Sequence, residues 1–460
     1  MKKLVFGKFN KKIITLAALV TFTASLLSIN AFAMDTRRVV MPNGLVVLYS
    51  ERHNLPVVRM SLIINASKLD EPARLAGLAH LTAEMLTEGT KHRTSKEIHE
   101  EIEFTGASIE TSTTSDYTAV GLSVLKKDLP VLFEIFADCI LNPTFTEAEL
   151  RQKKELIKGG LKHEEESPAY AADKAFMAAV YGKFPYGRVS EGTPETINMI
   201  KRDDVVKFHS DFYVPAGSIL SVAGDVTYEE LMGLIDKHLS ASAGWTVHAN
   251  GPAKKREAFE LPKSTAKKAV LINRDTQQAN IILGGMGVRR DNPDFYAVSI
   301  MNYILGGGGF ASRMVKAIRD NLGLAYDIHS HFASFKYAGD FQVVIQTKNE
   351  FTNVAVEEIL KQIKAMKEGV ITDEELSDAK AYLTGSFPRK LDTMDKISMF
   401  MAQVEFYGLG IDFDKRYPAI INAITKEDVR RAAQKYLVGN NYKLAIAGNQ
   451  AKIGLSSDYK

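Results

Sequence analysis

The chain has 460 residues, of which 45% are hydrophobic and 25% charged, and a formal net charge of +3 at pH 7. This composition is ordinary for a globular protein and excludes a disordered or fibrous chain, and so small a net charge gives no argument for a nucleic-acid partner. The only cysteine, Cys139, excludes an intrachain disulfide.

The chain begins with a basic segment (Lys2, Lys3, Lys8, Lys11, Lys12), followed by an uncharged apolar run from Ile13 to Ile29 and the tripeptide Ala31-Phe32-Ala33. This order predicts a cleaved signal peptide over 1–33, a mature start at Met34 and a periplasmic or secreted protein. The same run could serve as an uncleaved anchor, but the small-x-small tripeptide favours removal. No later run is long and apolar enough to span a bilayer, so no membrane contact is expected after cleavage. The remainder, about 430 residues, is enough for two or three domains with full cores.

Val57 to Ile64 and Tyr117 to Leu125 have strand character. Pro72 to Glu88, Ser95 to Phe104, Leu129 to Leu141 and Glu147 to Glu165 have helical spacing. Cys139 falls on an apolar helical face, which predicts a buried thiol and not a nucleophile. The first of these helices contains Gly77-Leu78-Ala79-His80-Leu81-Thr82-Ala83-Glu84-Met85-Leu86-Thr87-Glu88-Gly89-Thr90. This is the frame of an inverted zinc-peptidase helix, His-x-x-Glu-His, in which two ligands four apart share a face with a general base between them. His80 stands at the first ligand position, Ala83 at the base position and Glu84 at the second ligand position.

Residues 244–267 read as a linker, with Gly244, Gly251, Pro252, Pro262 and the basic run Lys254-Lys255-Arg256, a solvated patch. Trp245 reads as a packing anchor. The flanking segments, 34–243 and 268–460, echo each other at an offset of about 225 residues. Phe145 to Leu150 matches Ile371 to Leu376, each with a threonine cap before acidic residues. Ile197 to Val205 matches Ile421 to Val429, and Ser218 to Gly224 matches Lys443 to Gly448. Such self-similarity is the mark of duplication. Strands beside longer helices without strict alternation predict an α+β class: two duplicated α/β-sandwich units, each a mostly antiparallel sheet with helices on one face.

In the second half, Gly306, Gly307, Gly308 and Gly309 lie in Leu305 to Arg313, ahead of a helix. No Gly-Lys-Ser/Thr ending follows, so a nucleotide phosphate loop is not indicated; a flexible turn and a ligand contact both remain open. Arg319 and Tyr326 follow, seven apart. His329 and His331 share a strand face without a third ligand at a telling distance, which favours an exposed or packed pair over a metal site.

Pro42-Asn43-Gly44-Leu45, the Gly77 to Thr90 frame, the duplicated halves and Gly323-Leu324-Ala325-Tyr326 together resemble the pitrilysin/insulinase family of zinc peptidases, in its bacterial form with two-domain subunits. The resemblance spans almost all of the mature chain. It implies a clam-like pair of subunits around a chamber, in which a zinc-bearing chain often joins a zinc-less one. It also implies that Arg319 and Tyr326 hold substrate from the second domain and that the glycine-rich stretch contacts it. A third zinc ligand, a glutamate, would fall near Gly160.

Against that pattern, Ala83, Glu84 and Gly160 replace the base and two ligands, and alanine cannot take a proton from water. The expectation is a non-catalytic subunit that binds no metal itself, with zinc in a homologous partner and short unfolded peptides as substrate. Two alternatives stand beside it. One is a stand-alone peptide-binding or scaffold protein. The other is an active metallopeptidase using His80, Glu84 and a downstream glutamate such as Glu155, Glu164, Glu165 or Glu166.

Overall fold

The computed structural model describes residues 34–246, 260 and 266–459. The predicted signal peptide and the basic run at 254–256 lie outside these residues. Six strands build the first sheet: β1 (Arg37–Val40), β2 (Val46–Glu51), β3 (Val57–Ile64), β4 (Ser108–Thr113), β5 (Thr118–Leu125) and β6 (Ile219–Gly224). Five build the second: β7 (Lys268–Asn273), β8 (Gln278–Met286), β9 (Ala325–Ser334), β10 (Gly339–Lys348) and β11 (Lys443–Gly448). The orders are β1-β2-β6-β3-β5-β4 and β7-β11-β8-β10-β9. Without β1, the two sheets have one topology. In both, the first and last strands pair in parallel and every other pairing is antiparallel. The duplication read from three short sequence matches is therefore a duplication of sheet order, and the α+β class holds.

The caps follow the sequence. Thr146 accepts from the Glu149 amide at the start of the Glu147–Glu166 helix, and Thr372 with Glu375 forms a reciprocal box at the start of Asp373–Ser386. The Leu129–Leu141 helix buries Cys139, whose thiol burial pushes up to about 12. The helix expected over Pro72 to Glu88 is broken into a 3₁₀ turn, Ala73–Leu75, and a short helix, Leu78–Glu84. The cause is Gly77, at φ +95°, where an added Cβ would lie 2.6 Å from the Glu191 carbonyl oxygen. Asn43 donates to the Leu239 and Trp245 carbonyls at 3.0 and 3.1 Å, and the buried Trp245 indole donates to the Tyr213 carbonyl at 3.0 Å. The start of the linker is thereby fixed to the first half.

Each sheet has a second covered face, and the cover is exchanged between halves. The Pro168–Tyr181 helix, from the first half, packs on β7, β8 and β11 of the second sheet. There Ala172, Phe176 and Tyr181 meet Ile282, Ala445 and Ala447. Reciprocally, the Met394–Phe406 helix packs on β3 and β6. The Ser398 hydroxyl bonds to the Ser61 hydroxyl and the Ser221 carbonyl, both at 2.9 Å. The strands alternate accordingly. Leu220 and Val222 fill their own core, while Ser221 and Ala223 alternate with them toward the visiting helix. Leu444 and Ile446 against Ala445 and Ala447 repeat the pattern. Small residues let the helix approach closely. Polar ties reinforce the exchange. Asp116 accepts from the Tyr186 hydroxyl, the Lys336 amide (2.8 Å) and the Tyr407 hydroxyl (3.2 Å), and Arg38 clasps Glu405 at 3.0 and 2.8 Å.

Candidate functional site: a zinc-motif helix without its chemistry and an exposed arginine cluster

The start of the Leu78–Glu84 helix is tied to Glu71, whose carboxylate oxygens accept from the Gly77 and Ala79 amides at 3.1 and 2.9 Å. Burial pushes this carboxyl up to about 7, against the pull of those amides and of Arg188 and Lys68. His80 is half-buried and makes no side-chain hydrogen bond among the described residues, and Ala83 is buried. Glu84 is not waiting for a metal. Its Oε1 accepts from the Thr111 hydroxyl on β4 at 2.9 Å, and Lys153 Nζ stands 3.7 Å from its Oε2. The same ammonium lies 2.7 Å from Glu88 Oε1, and Ser95 donates to Glu88 Oε2 at 2.9 Å. Burial opposes charge on Glu88, but Lys153 and Ser95 outweigh it and hold the carboxyl below its ordinary value.

Lys153 comes from the Glu147–Glu166 helix, which runs unbroken through Gly159 and Gly160. Gly160 is exposed, with open space where a side chain would be, and the next residue, Leu161, is the one buried in the first-half core. Among the described residues no three His, Cys, Asp or Glu side chains are grouped to hold a metal ion. The three ligand positions do not make a zinc set: His80 offers a donor, but Glu84 is engaged by Thr111 and Lys153 and Gly160 has no donor atom.

The second constellation is assembled differently. From the Phe295–Asn302 helix the chain passes directly into a π-helical turn, Tyr303–Gly307. The glycine-rich stretch is therefore no open loop. Gly306 is buried, and an added Cβ would meet the Ser330 hydroxyl oxygen at 2.6 Å and the Ser330 nitrogen at 2.8 Å. Asn302 fastens the turn to β9, donating to the Ser330 carbonyl at 3.1 Å and accepting from its hydroxyl at 2.8 Å. A 3₁₀ turn, Gly309–Ala311, carries Phe310 outward, and a second π-helical segment, Val315–Asn321, carries Arg319. Such segments cluster at functional sites. Tyr326 stands at the start of β9, an edge strand, and is 88% exposed; Phe310 is 72% exposed. The Arg319 guanidinium lies over both rings, 4.6 Å from the Phe310 centroid and 5.2 Å from that of Tyr326.

Arg319 and Tyr326, which the family resemblance paired, lie close together, and Phe310 joins them unannounced. An aromatic just after a glycine run was the only signal. Lys153 was also missed, because nothing in its helix marks one lysine among several. No hydrogen bond, ion pair or ring contact among the described residues joins the Arg319 group to His80 or Glu84. His329 and His331 stack at 6.0 Å on β9. His329 is held by Asp327 at 2.9 Å, and burial, helped by His329, pulls His331 below its ordinary value.

Comparison with known proteins agrees with this architecture. Residues 46–193 match the family model described as Insulinase (Peptidase family M16), and residues 199–383 match Peptidase M16 inactive domain. The chain belongs to the insulinase, or M16 peptidase, family. Among its relatives is an uncharacterized zinc protease, YmxG, of Bacillus subtilis, 25% identical over 89% of this chain and 97% of that one. Another, from Rickettsia bellii, is 29% identical over 73% of this chain and 79% of that one. A crystal structure titled as a peptidase M16 inactive domain from Pseudomonas fluorescens superposes with a TM-score of 0.82 at 25% identity, covering 90% of this chain and 98% of that one. A protease from Helicobacter pylori shares the fold, with a TM-score of 0.83 at 20% identity over 91% and 100% of the two chains.

Proposed function

We propose that this chain is the non-catalytic, substrate-binding subunit of an exported two-chain zinc peptidase. A homologous partner carries the complete motif and supplies metal, ligands and base. This chain supplies the facing wall of the chamber, with Arg319 and Tyr326 directed at the substrate. Its guanidinium and phenol are hydrogen-bond donors suited to peptide carbonyls or a developing oxyanion. Gly307 and Gly309 are the exposed glycines of the stretch and complete the substrate-binding wall in this reading. Short unfolded peptides are the substrates, because a closed chamber excludes folded chains.

One observation carries the reading: where a proton acceptor is needed there is buried Ala83, and the neighbouring carboxylates Glu84 and Glu88 are occupied by Lys153. The test is to purify the mature chain with the product of a neighbouring reading frame that has an intact His-x-x-Glu-His, and to measure cleavage of unfolded peptides. The pair is expected to cut and this chain alone to be inert. Arg319→Ala and Tyr326→Phe should each lower the pair's kcat/KM about tenfold or more. Chelator-sensitive cleavage by this chain alone would overturn the proposal.

A further inference from the structure

We infer that Phe310, Arg319 and Tyr326 form one receptor for a carboxylate carried by the peptide, with Phe310 as its specificity-determining residue. The inference rests on the peptide-binding reading above and adds the substrate class and a third residue. Arg313, six residues before Arg319, shows what a structural arginine does here. It gives Nε and Nη2 to Glu375 at 2.6 and 2.7 Å and Nη2 to the Val370 carbonyl at 2.9 Å. The Arg319 side chain makes no hydrogen bond or ion pair among the described residues, and its guanidinium lies over the two rings. A ring contact uses none of the guanidinium's N–H donors in a hydrogen bond to a side chain, so those donors are available to a ligand. The rings also steady the side chain before binding and displace water beside the charge, which strengthens a charge-assisted bond. Two parallel N–H donors match the two oxygens of a carboxylate, while a neutral carbonyl fills one.

The local fold makes the arrangement deliberate. Gly306 to Gly308 lock the turn against β9 and its own helix, and Gly309, at φ +57°, turns the chain out. The Ser312 hydroxyl closes on the Gly309 carbonyl at 2.7 Å, so Phe310 is held out beside Arg319 without being buried. Of the acidic neighbours in sequence, Asp327 is engaged by His329.

The test is calorimetric titration of the full mature chain with N-acetylated ten-residue peptides of Ala, Ser and Leu. One has a free C-terminus and one a C-terminal amide; two further amides carry one internal Glu or one internal Gln. A carboxylate-bearing peptide is expected to bind about tenfold tighter than its neutral counterpart. The free-acid and Glu arms tell whether chain end or side chain is preferred. The preference should vanish in Phe310→Ala and in Arg319→Lys, which keeps the charge but not the paired donors, and persist in Phe310→Tyr. Phe310→Ala should melt like the parent, because the ring is exposed. Equal binding of all four peptides overturns the carboxylate inference. The peptide-binding reading survives that result if Arg319→Ala weakens the neutral peptides too, and both fall if no peptide binds or Arg319→Ala changes nothing.

Discussion

On the zinc-motif helix of the first half, Glu84 and Glu88 are answered from within by Lys153, Thr111 and Ser95. In the second half the half-buried Arg319 pairs with no carboxylate among the described residues and lies over two exposed rings. Both regions sit on sheets of one strand order, so the difference is not one of scaffold. On the first-half helix, a lysine from a neighbouring helix pairs with both carboxylates.

The largest test of this contrast concerns the exchanged helices. Phe176→Ala, at a fully buried position in the helix lent to the second sheet, should cost about 3–5 kcal/mol. One cooperative thermal transition at lower temperature is expected, and two separate transitions would show that the halves fold independently. Lys153→Ala leaves Glu88 without its cation, and should cost about 1–2 kcal/mol after allowance for partial exposure. Arg319→Ala should change stability by less than about 0.5 kcal/mol, since it removes no buried partner. Denaturant titration of both variants compares the regions directly; equal losses would erase the distinction between them.

Metal binding sharpens the comparison further. Ala83→Glu with Glu84→His should still bind no stoichiometric zinc by elemental analysis, because Lys153 remains and Leu161 fills the inward position downstream. Adding Lys153→Ala and Leu161→Glu should bring zinc in.

The pH dependence of stability has opposite signs in the two halves. Glu71 is raised from 4.5 to about 7, chiefly by burial. Its contribution is complete below the unfolded value and is lost as pH rises through about 7. Asp294 is lowered from 3.8 to about 2 by the Tyr436 hydroxyl, with Arg431 and Lys435 assisting against desolvation. Its contribution is complete above the unfolded value and is lost as pH falls toward about 2. Denaturant midpoints across pH should therefore flatten on the neutral side in Glu71→Gln and on the acid side in Asp294→Asn.

Much of the fold was legible because the relevant forces are local. Val57–Ile64 and Leu129–Leu141 appear within the bounds that periodicity gave, and the threonine caps at 146 and 372 act as their residue types require. The break at Gly77 was not legible, since its cause is a carbonyl more than a hundred residues away. In the candidate site, Ala83 could be read directly: an absent functional group is absent in any fold. Phe310 could not be read, because a phenylalanine after glycines looks the same whether it turns inward or stands over an arginine.

The amino-acid order by itself determined the duplicated α+β pattern, the family frame and the loss of the base, because these depend on residue types and short-range spacing. Only the tertiary structure decided that each half covers the other's sheet, that Lys153 fills the charge balance beside Glu84 and Glu88, and that Arg319 remains unpaired. Those outcomes depend on which distant side chains meet, and burial and Coulomb energies are set at contact, not along the chain.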